Sequence, residues 1–266
     1  MRSMLKMRTC GAASALLFAS IFSTYSNAAD FFGDESTDRM LNSAPAAMWT
    51  GPYAGLQIGY GWANLEATDV FANVTGVGSG SLPLTGFTTD ENGINGGVTV
   101  GYNLYTSAMV LGVEADASAG DYVFDSGPLA VSDVFVTGDT LSGNFTGGID
   151  GFGTLRARVG LLVAPQTLIY ATGGLAIAHT KSSISFAYND GSGPIATSFE
   201  DKNFEWGYAV GAGIEDKFTD SLSMKLEYLF IGINDASFEF SQPGVTFGYD
   251  GKAHLNLVRL GLNYGF

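Results

Sequence analysis

The chain has 266 residues, with 37 glycines, 46% hydrophobic and 13% aromatic residues, but only 14% charged residues and a formal net charge of −14. That much apolar material excludes a disordered acidic tail, the acidity argues against a nucleic-acid partner, and no apolar run reaches the ~18 residues of a helical membrane span. What remains is an all-β chain, either soluble or a membrane barrel, and the glycine and aromatic content favours the barrel.

Arg2, Lys6 and Arg8 precede an apolar run over 12–22, and Ser26-Asn27-Ala28 ends it with small residues. This three-part pattern predicts a secretory signal over 1–28, cleaved after Ala28. The sole cysteine, Cys10, leaves with it, so the remainder offers no disulfide, thiolate ligand or cysteine nucleophile. Residues 29–50, with Asp30, Asp34, Glu35, Asp38 and Pro45, hold no sustained period and are read as a periplasmic extension of the barrel at 51–266.

From Tyr53 the pattern has period two. Leu56, Ile58, Tyr60 and Trp62 alternate with Gly55, Gln57, Gly59 and Gly61, as a strand between two unlike environments requires. The same alternation recurs at 94–105, 109–118, 149–161, 168–179, 204–215, 222–232 and 253–266, with the phase ambiguous only near Tyr170 and Gly174. Eight segments, each long enough for a tilted span of ~9–11 residues, predict an eight-stranded antiparallel transmembrane β-barrel. The links alternate as well: 106–108, 162–167 and 216–221 are short, whereas 67–93, 119–148, 180–203 and 233–252 are long. Short periplasmic turns, long extracellular loops and both termini in the periplasm follow, in the cell outer membrane. A soluble ligand-binding barrel is the competing architecture, but it would place bulky apolar residues inside and charges outside.

The inward faces carry Glu114, Asp116, Glu205, Glu215 and Glu227 against Arg156, Arg158, Lys225 and Arg259. Glu114 and Asp116 should face Arg156 and Arg158 on the neighbouring strand. Charges in a narrow lumen must be paired, so the expectation is a polar plug that sets register and blocks conduction; a small gated pore is the alternative. The surplus acids, among them Glu66, Asp90, Asp121, Asp125, Glu200 and Asp250, fall in the long links with Lys181 and Lys202. They are read as loop solvation, or as carboxylates sharing divalent cations with the anionic lipid and lipopolysaccharide layer. Two links read as hairpins extending the wall: Ile184, Phe186 and Tyr188 against Ile195, Thr197 and Phe199, and Phe238 and Phe240 against Val245, Phe247 and Tyr249.

Catalysis finds little support. His179 and His254 sit at the loop ends of the fifth and eighth segments; His179 has Ser182 nearby but no oriented acid in the sequence. No metal site and no catalytic residue are expected. Ligation of hemin by His179, His254 or a rim tyrosine is chemically open.

The strand motifs carry a family resemblance. Trp49-Thr50-Gly51, Gly59-Tyr60-Gly61, Gly101-Tyr102-Asn103 and Leu111-Gly112-Val113-Glu114-Ala115-Asp116 share it with Gly153-Thr154-Leu155-Arg156-Ala157-Arg158-Val159-Gly160, Tyr170-Ala171-Thr172-Gly173-Gly174, Lys225-Leu226-Glu227-Tyr228 and the closing 259–266. Over about 49–266 the chain resembles the porin-like small outer-membrane proteins of Gram-negative bacteria. That family includes major surface antigens and hemin-binding proteins. Phe266, preceded by Tyr264 and Leu262, resembles the C-terminal signal read by the barrel-insertion machinery. The resemblance implies a structural or surface-interaction role in the envelope, with a hemin or host surface ligand, or a small solute, as the alternative.

Overall fold

Period-two segments with one oily and one small or polar face can satisfy every backbone group only by pairing side by side until the sheet closes. The computed structural model, which describes residues 48–74, 78–80, 87–106, 109–125, 129–132, 140–189, 194–233, 238–242 and 245–266, shows that closure. The expected signal at 1–28 and the extension up to residue 47 lie outside the described residues.

Eight long strands form the wall: β1 (Gly51–Val74), β3 (Phe87–Thr106), β4 (Met109–Asp125), β6 (Thr140–Leu162), β7 (Thr167–Asn189), β8 (Pro194–Lys217), β9 (Leu222–Ile233) and β11 (Val245–Gly265). Three short strands, β2 (Gly78–Gly80), β5 (Leu129–Ser132) and β10 (Phe238–Gln242), pair onto β1, β6 and β11 at the long-loop end. Each wall strand pairs antiparallel with its sequence neighbour, and β11 pairs back onto β1 from Tyr53↔Gly265 upward, which closes the barrel. All eight predicted segments fall on these strands, the last ending one residue past β11.

Most of the strands run past the predicted segments, although β9 adds only one residue to its own. β1 and β8 have 24 residues each, more than twice the ~9–11 needed to cross the apolar layer. Much of what reads as loop at 67–93, 119–148, 180–203 and 233–252 is therefore paired strand. Both expected hairpins form, with Ile184↔Phe199 and Tyr188↔Ile195 in one and Phe238↔Tyr249 and Phe240↔Phe247 in the other. Register shifts fall between Ala67 and Asp69, Ala119 and Tyr122, and Ile149 and Gly151. Bulges at this height add twist where the wall rises out of the membrane layer.

The side chains settle which face is oily. Leu56, Ile58, Val98, Val113, Leu155, Leu175, Val210 and Leu262 are exposed on the outer wall, with Trp62, Phe204, Trp206 and Tyr208 towards the long-loop end and Tyr102, Tyr264 and Phe266 towards the other. An apolar band between aromatic girdles is the arrangement a lipid bilayer selects. It rules out the soluble barrel, whose charges would be on this surface.

Inside, the lumen is layered. The charged residues occupy the middle. Above them Phe152, Leu229, Ile231, Leu255 and Leu257 pack with Tyr122 into an apolar cluster, and below them Met48 and Trp49 pack on Val110, Leu168 and Tyr170. The expectation of a lumen face that is small or polar throughout is corrected: Leu229 and Leu257 share faces with Glu227 and Arg259 and are fully buried. Trp49, the end of the expected extension, is held within the short-turn mouth by its indole N–H donating to the Pro165 carbonyl at 3.0 Å.

Glycine makes room for this filling. A Cβ at Gly101 would sit 2.4 Å from the Tyr53 ring, and one at Gly213 would sit 2.6 Å from the Tyr170 hydroxyl. Gly101→Ala and Gly213→Ala should each destabilise the barrel by about 1–3 kcal/mol through overpacking, measured by urea unfolding from lipid vesicles; unchanged midpoints would show that the two tyrosines do not fill the lumen as described.

Candidate functional site

The densest chemistry lies in the middle of the lumen, where alternation points β4, β6, β8, β9 and β11 residues at one another. Arg156 donates to Glu114 at 2.5 Å, Asp116 at 2.8 Å and Glu227 at 2.8 Å. Arg259 bridges Asp116 at 3.0 Å and Glu227 at 2.5 Å, and Lys225 donates to Glu114 at 2.8 Å. Arg158 reaches Glu215 at 2.5 Å and stacks 3.9 Å above the Tyr170 ring. The four bases meet four acids, and none of the eight residues is more than 7% exposed.

Neutral partners complete the set. The Tyr53 hydroxyl donates to Glu114 at 2.7 Å and the Tyr170 hydroxyl to Glu227 at 2.9 Å. Thr154 donates to Asp116 at 2.5 Å, Ser223 to Glu215 at 2.6 Å and Asn263 to Glu215 at 2.9 Å. Such contacts lower the cost of burying the ions, with Arg158 Nε and Arg259 Nε left without a hydrogen-bond partner among the described residues.

Eight of the nine inward charges read from the sequence are thus brought together. Glu114 faces Arg156 across β4 and β6 as expected. Arg158 departs from expectation: its near partner is Glu215 on β8, while Glu114 lies 3.9 Å away. Glu205, on the same face of β8, is opposite Ala178 towards the long-loop end and stands apart from these eight. Sequence reading missed Tyr53, Thr154, Tyr170, Ser223 and Asn263 as partners, although each occupies the lumen-facing phase of its strand. Tyr170 lies where the fifth segment's phase was ambiguous; the structure points it inward.

The two histidines do not meet. Both lie on the outer wall, on β7 and β11, with β8 and β9 between them. His254 stacks on Phe230 with centroids 5.5 Å apart. His179 packs on Phe204 at 4.9 Å, and its Nδ1 lies 2.5 Å from Asp150. An acid oriented on His179 was not legible in the sequence, because Asp150 is the extra residue of a β6 bulge: Gly151 pairs with His179 and Ile149 with Thr180. Lys181 reaches the other Asp150 oxygen at 2.5 Å. Phe266 is exposed at the short-turn end, with its backbone N–H donating to the Pro52 carbonyl at 3.0 Å. Among the described residues, no group of three or more His, Cys, Asp or Glu side chains is arranged to hold a metal ion.

A closed β-barrel with an apolar outer wall and its ionic groups inside is an integral membrane barrel. The sequence profile described as outer membrane protein beta-barrel domain matches residues 14–251. The 31 kDa outer-membrane immunogenic protein of Brucella melitensis is 28% identical over 253 residues, covering 93% of this chain and 96% of that one. The 22 kDa outer membrane protein of Rhizobium leguminosarum bv. viciae is 30% identical over 192 residues, covering 71% and 75%. Among solved structures, the attachment invasion locus protein Ail of Yersinia pestis matches with 14% identity and a TM-score of 0.35, covering 82% and 99%. The chain belongs to the outer membrane protein beta-barrel domain family, and its place is the cell outer membrane.

Truncating one member of the buried network strands the others. Arg156→Ala should cost about 3–5 kcal/mol, whereas Lys181→Gln, at the exposed rim, should leave the unfolding midpoint nearly unchanged; urea unfolding of both in lipid vesicles checks the contrast, and equal losses would contradict it. The hydrogen bonds from Lys181 and then from His179 hold the Asp150 carboxyl below its ordinary value. A depressed carboxyl stabilises the fold above its unfolded pKa of ~3.9, and that contribution disappears as pH falls through the lower folded value. NMR titration should find the Asp150 midpoint low, and moved up in Lys181→Gln.

Proposed function

We propose that this protein is a structural and surface-interaction barrel of the outer membrane whose lumen is closed, so that its work is done by the outer wall and the extended hairpins. The observation that carries this reading is the contact of Arg156 and Arg259 with carboxylates of β4 and β9 across the lumen. Eight strands leave an interior just wide enough for side chains, and here the apolar clusters at both ends bracket the ionic layer. A solute would have to separate paired buried charges and then pass two apolar layers.

In this reading residues 1–28 are a cleaved export signal and Phe266 belongs to the signal for barrel insertion. The hairpins of β7 with β8 and of β10 with β11 stand outside the cell, where surface recognition occurs. The Brucella relatives are named as immunogenic outer-membrane proteins, which accords with exposed hairpins. No catalytic role is assigned to the Asp150 and His179 pair.

Conductance across planar bilayers tests closure. The wild-type protein should give no steady channel, and Arg156→Ala combined with Arg259→Ala should produce leak events. A steady open state in the wild type would overturn the proposal.

A further inference from the structure

The wall strands are held edge to edge, but the residues that cover the short-turn mouth belong to no ladder. Pairing on β1 begins with Gly51↔Asn103 on one side and Tyr53↔Gly265 on the other. Met48, Trp49 and Thr50 precede it and turn inward across the mouth. Gly51 makes that turn with a φ of 138°, in the region that favours glycine. Met48 and Trp49 are buried although they lie outside every strand.

This short strap reaches a turn or strand end at each of the three short links. The Tyr105 N–H, near the end of β3, donates to the Thr50 hydroxyl at 3.1 Å. The Trp49 indole N–H donates to Pro165 in the β6–β7 turn. The Lys217 ammonium, at the end of β8, lies 5.1 Å from the centre of the same indole and donates to the Asp220 carbonyl in the β8–β9 turn. In the order of the wall, β1 and the β6–β7 turn stand on opposite sides, so the strap spans the opening.

Two features make it a moving part. Its hold is the indole hydrogen bond, the Thr50 contact and packing on Val110, Leu168 and Tyr170, whereas each wall strand is paired along both edges. Segments with few backbone contacts open locally at far less than the global cost. There is also room beside it: a cavity of about 180 Å³ runs from Trp49 to Tyr53, Asn103, Glu215 and Ser223. Trp49 also packs in one cluster with Tyr170, whose ring lies 3.9 Å from the Arg158 guanidinium and whose hydroxyl donates to Glu227. Withdrawing Trp49 would let water from the mouth reach the Arg158 and Glu215 pair first, while Phe152, Leu229 and Leu257 still seal the other side.

We propose that Met48–Thr50 is a strap that opens and closes the short-turn face of the lumen without disturbing the wall, with the Trp49 to Pro165 hydrogen bond as its latch. Met48 is continuous with the expected periplasmic extension, so a pull on that extension is the action that releases it. The proposal rests on the closed lumen proposed above: opening wets the ionic layer from one side and makes no channel.

The test uses the full chain in neutral detergent, with Cys10→Ser removing the sole native cysteine. One reporter thiol is placed beneath the strap by Val110→Cys and another in the upper cluster by Leu255→Cys, both at buried positions. Labelling by a charged, water-soluble thiol reagent in native buffer reads the opening of each. Trp49→Phe keeps an aromatic ring in place and removes the latch donor. It should speed labelling at position 110 about tenfold, the factor carried by one lost hydrogen bond to a buried acceptor, and leave position 255 unchanged. No acceleration at 110 would mean that the latch does not hold the mouth, and parallel acceleration at both positions would mean that the mouth opens only with the whole barrel; either result overturns the proposal. If Val110→Cys does not fold, Leu168→Cys reports on the same space. A steady wild-type channel in planar bilayers would contradict the closed lumen instead, and the labelling contrast would still decide the strap.

Discussion

A charge inside an eight-stranded barrel has nowhere to find water, and this constraint organises the rest of the molecule. Arg156 is the clearest case. It lies on β6, is 1% exposed, and contacts carboxylates on both β4 and β9. Those carboxylates also face Arg259 and Lys225, so no ion can move without uncovering another. Because the partners come from strands on different sides of the barrel, the contacts also select one registration of the closed sheet. A slip of one residue would turn every lumen charge into lipid.

The neighbouring layers follow from the same constraint. Water entering from either mouth would weaken the ionic contacts by raising the local dielectric. Trp49 with Leu168 and Val110 closes one side, while Phe152, Leu229 and Leu257 close the other. The glycines beside Tyr53 and Tyr170 are the complement of this crowding: two large rings can turn across the lumen only because the facing residues, Gly101 and Gly213, have no side chain. The high glycine count thus reflects a filled interior rather than a loose one.

Strand number, pairing and the oily face were legible in the sequence because lipid on one side and a lumen on the other impose opposite demands at every second residue. Beyond the membrane that contrast vanishes, so the upper halves of β1 and β6 read as loops although their pairing continues, while those of β7 and β8 were legible as a hairpin. Leu229, Ile231 and Leu255 were equally hidden, since an apolar residue in the lumen phase breaks the rule by which the lumen face was recognised. Phase picked out all eight members of the ionic network, with Glu205 beside them, but it could not give the pairings: Arg158 chooses Glu215 across the closed interior, which a neighbour-strand argument cannot reach. Asp150 meets His179 through a bulge, and a one-residue insertion in register leaves no mark in period-two spacing.

The central claim is that the lumen charges act as one coupled unit, and the most direct measurement is a double-mutant cycle on Arg156 and Glu227. Reversible urea unfolding from lipid vesicles would be recorded for the wild type, Arg156→Met, Glu227→Gln and the double variant. Coupling should be strong, about 1.5–3 kcal/mol, with the double variant less destabilised than the sum of the single changes. Additivity within about 0.5 kcal/mol would mean that the two residues act independently, and it would contradict the account.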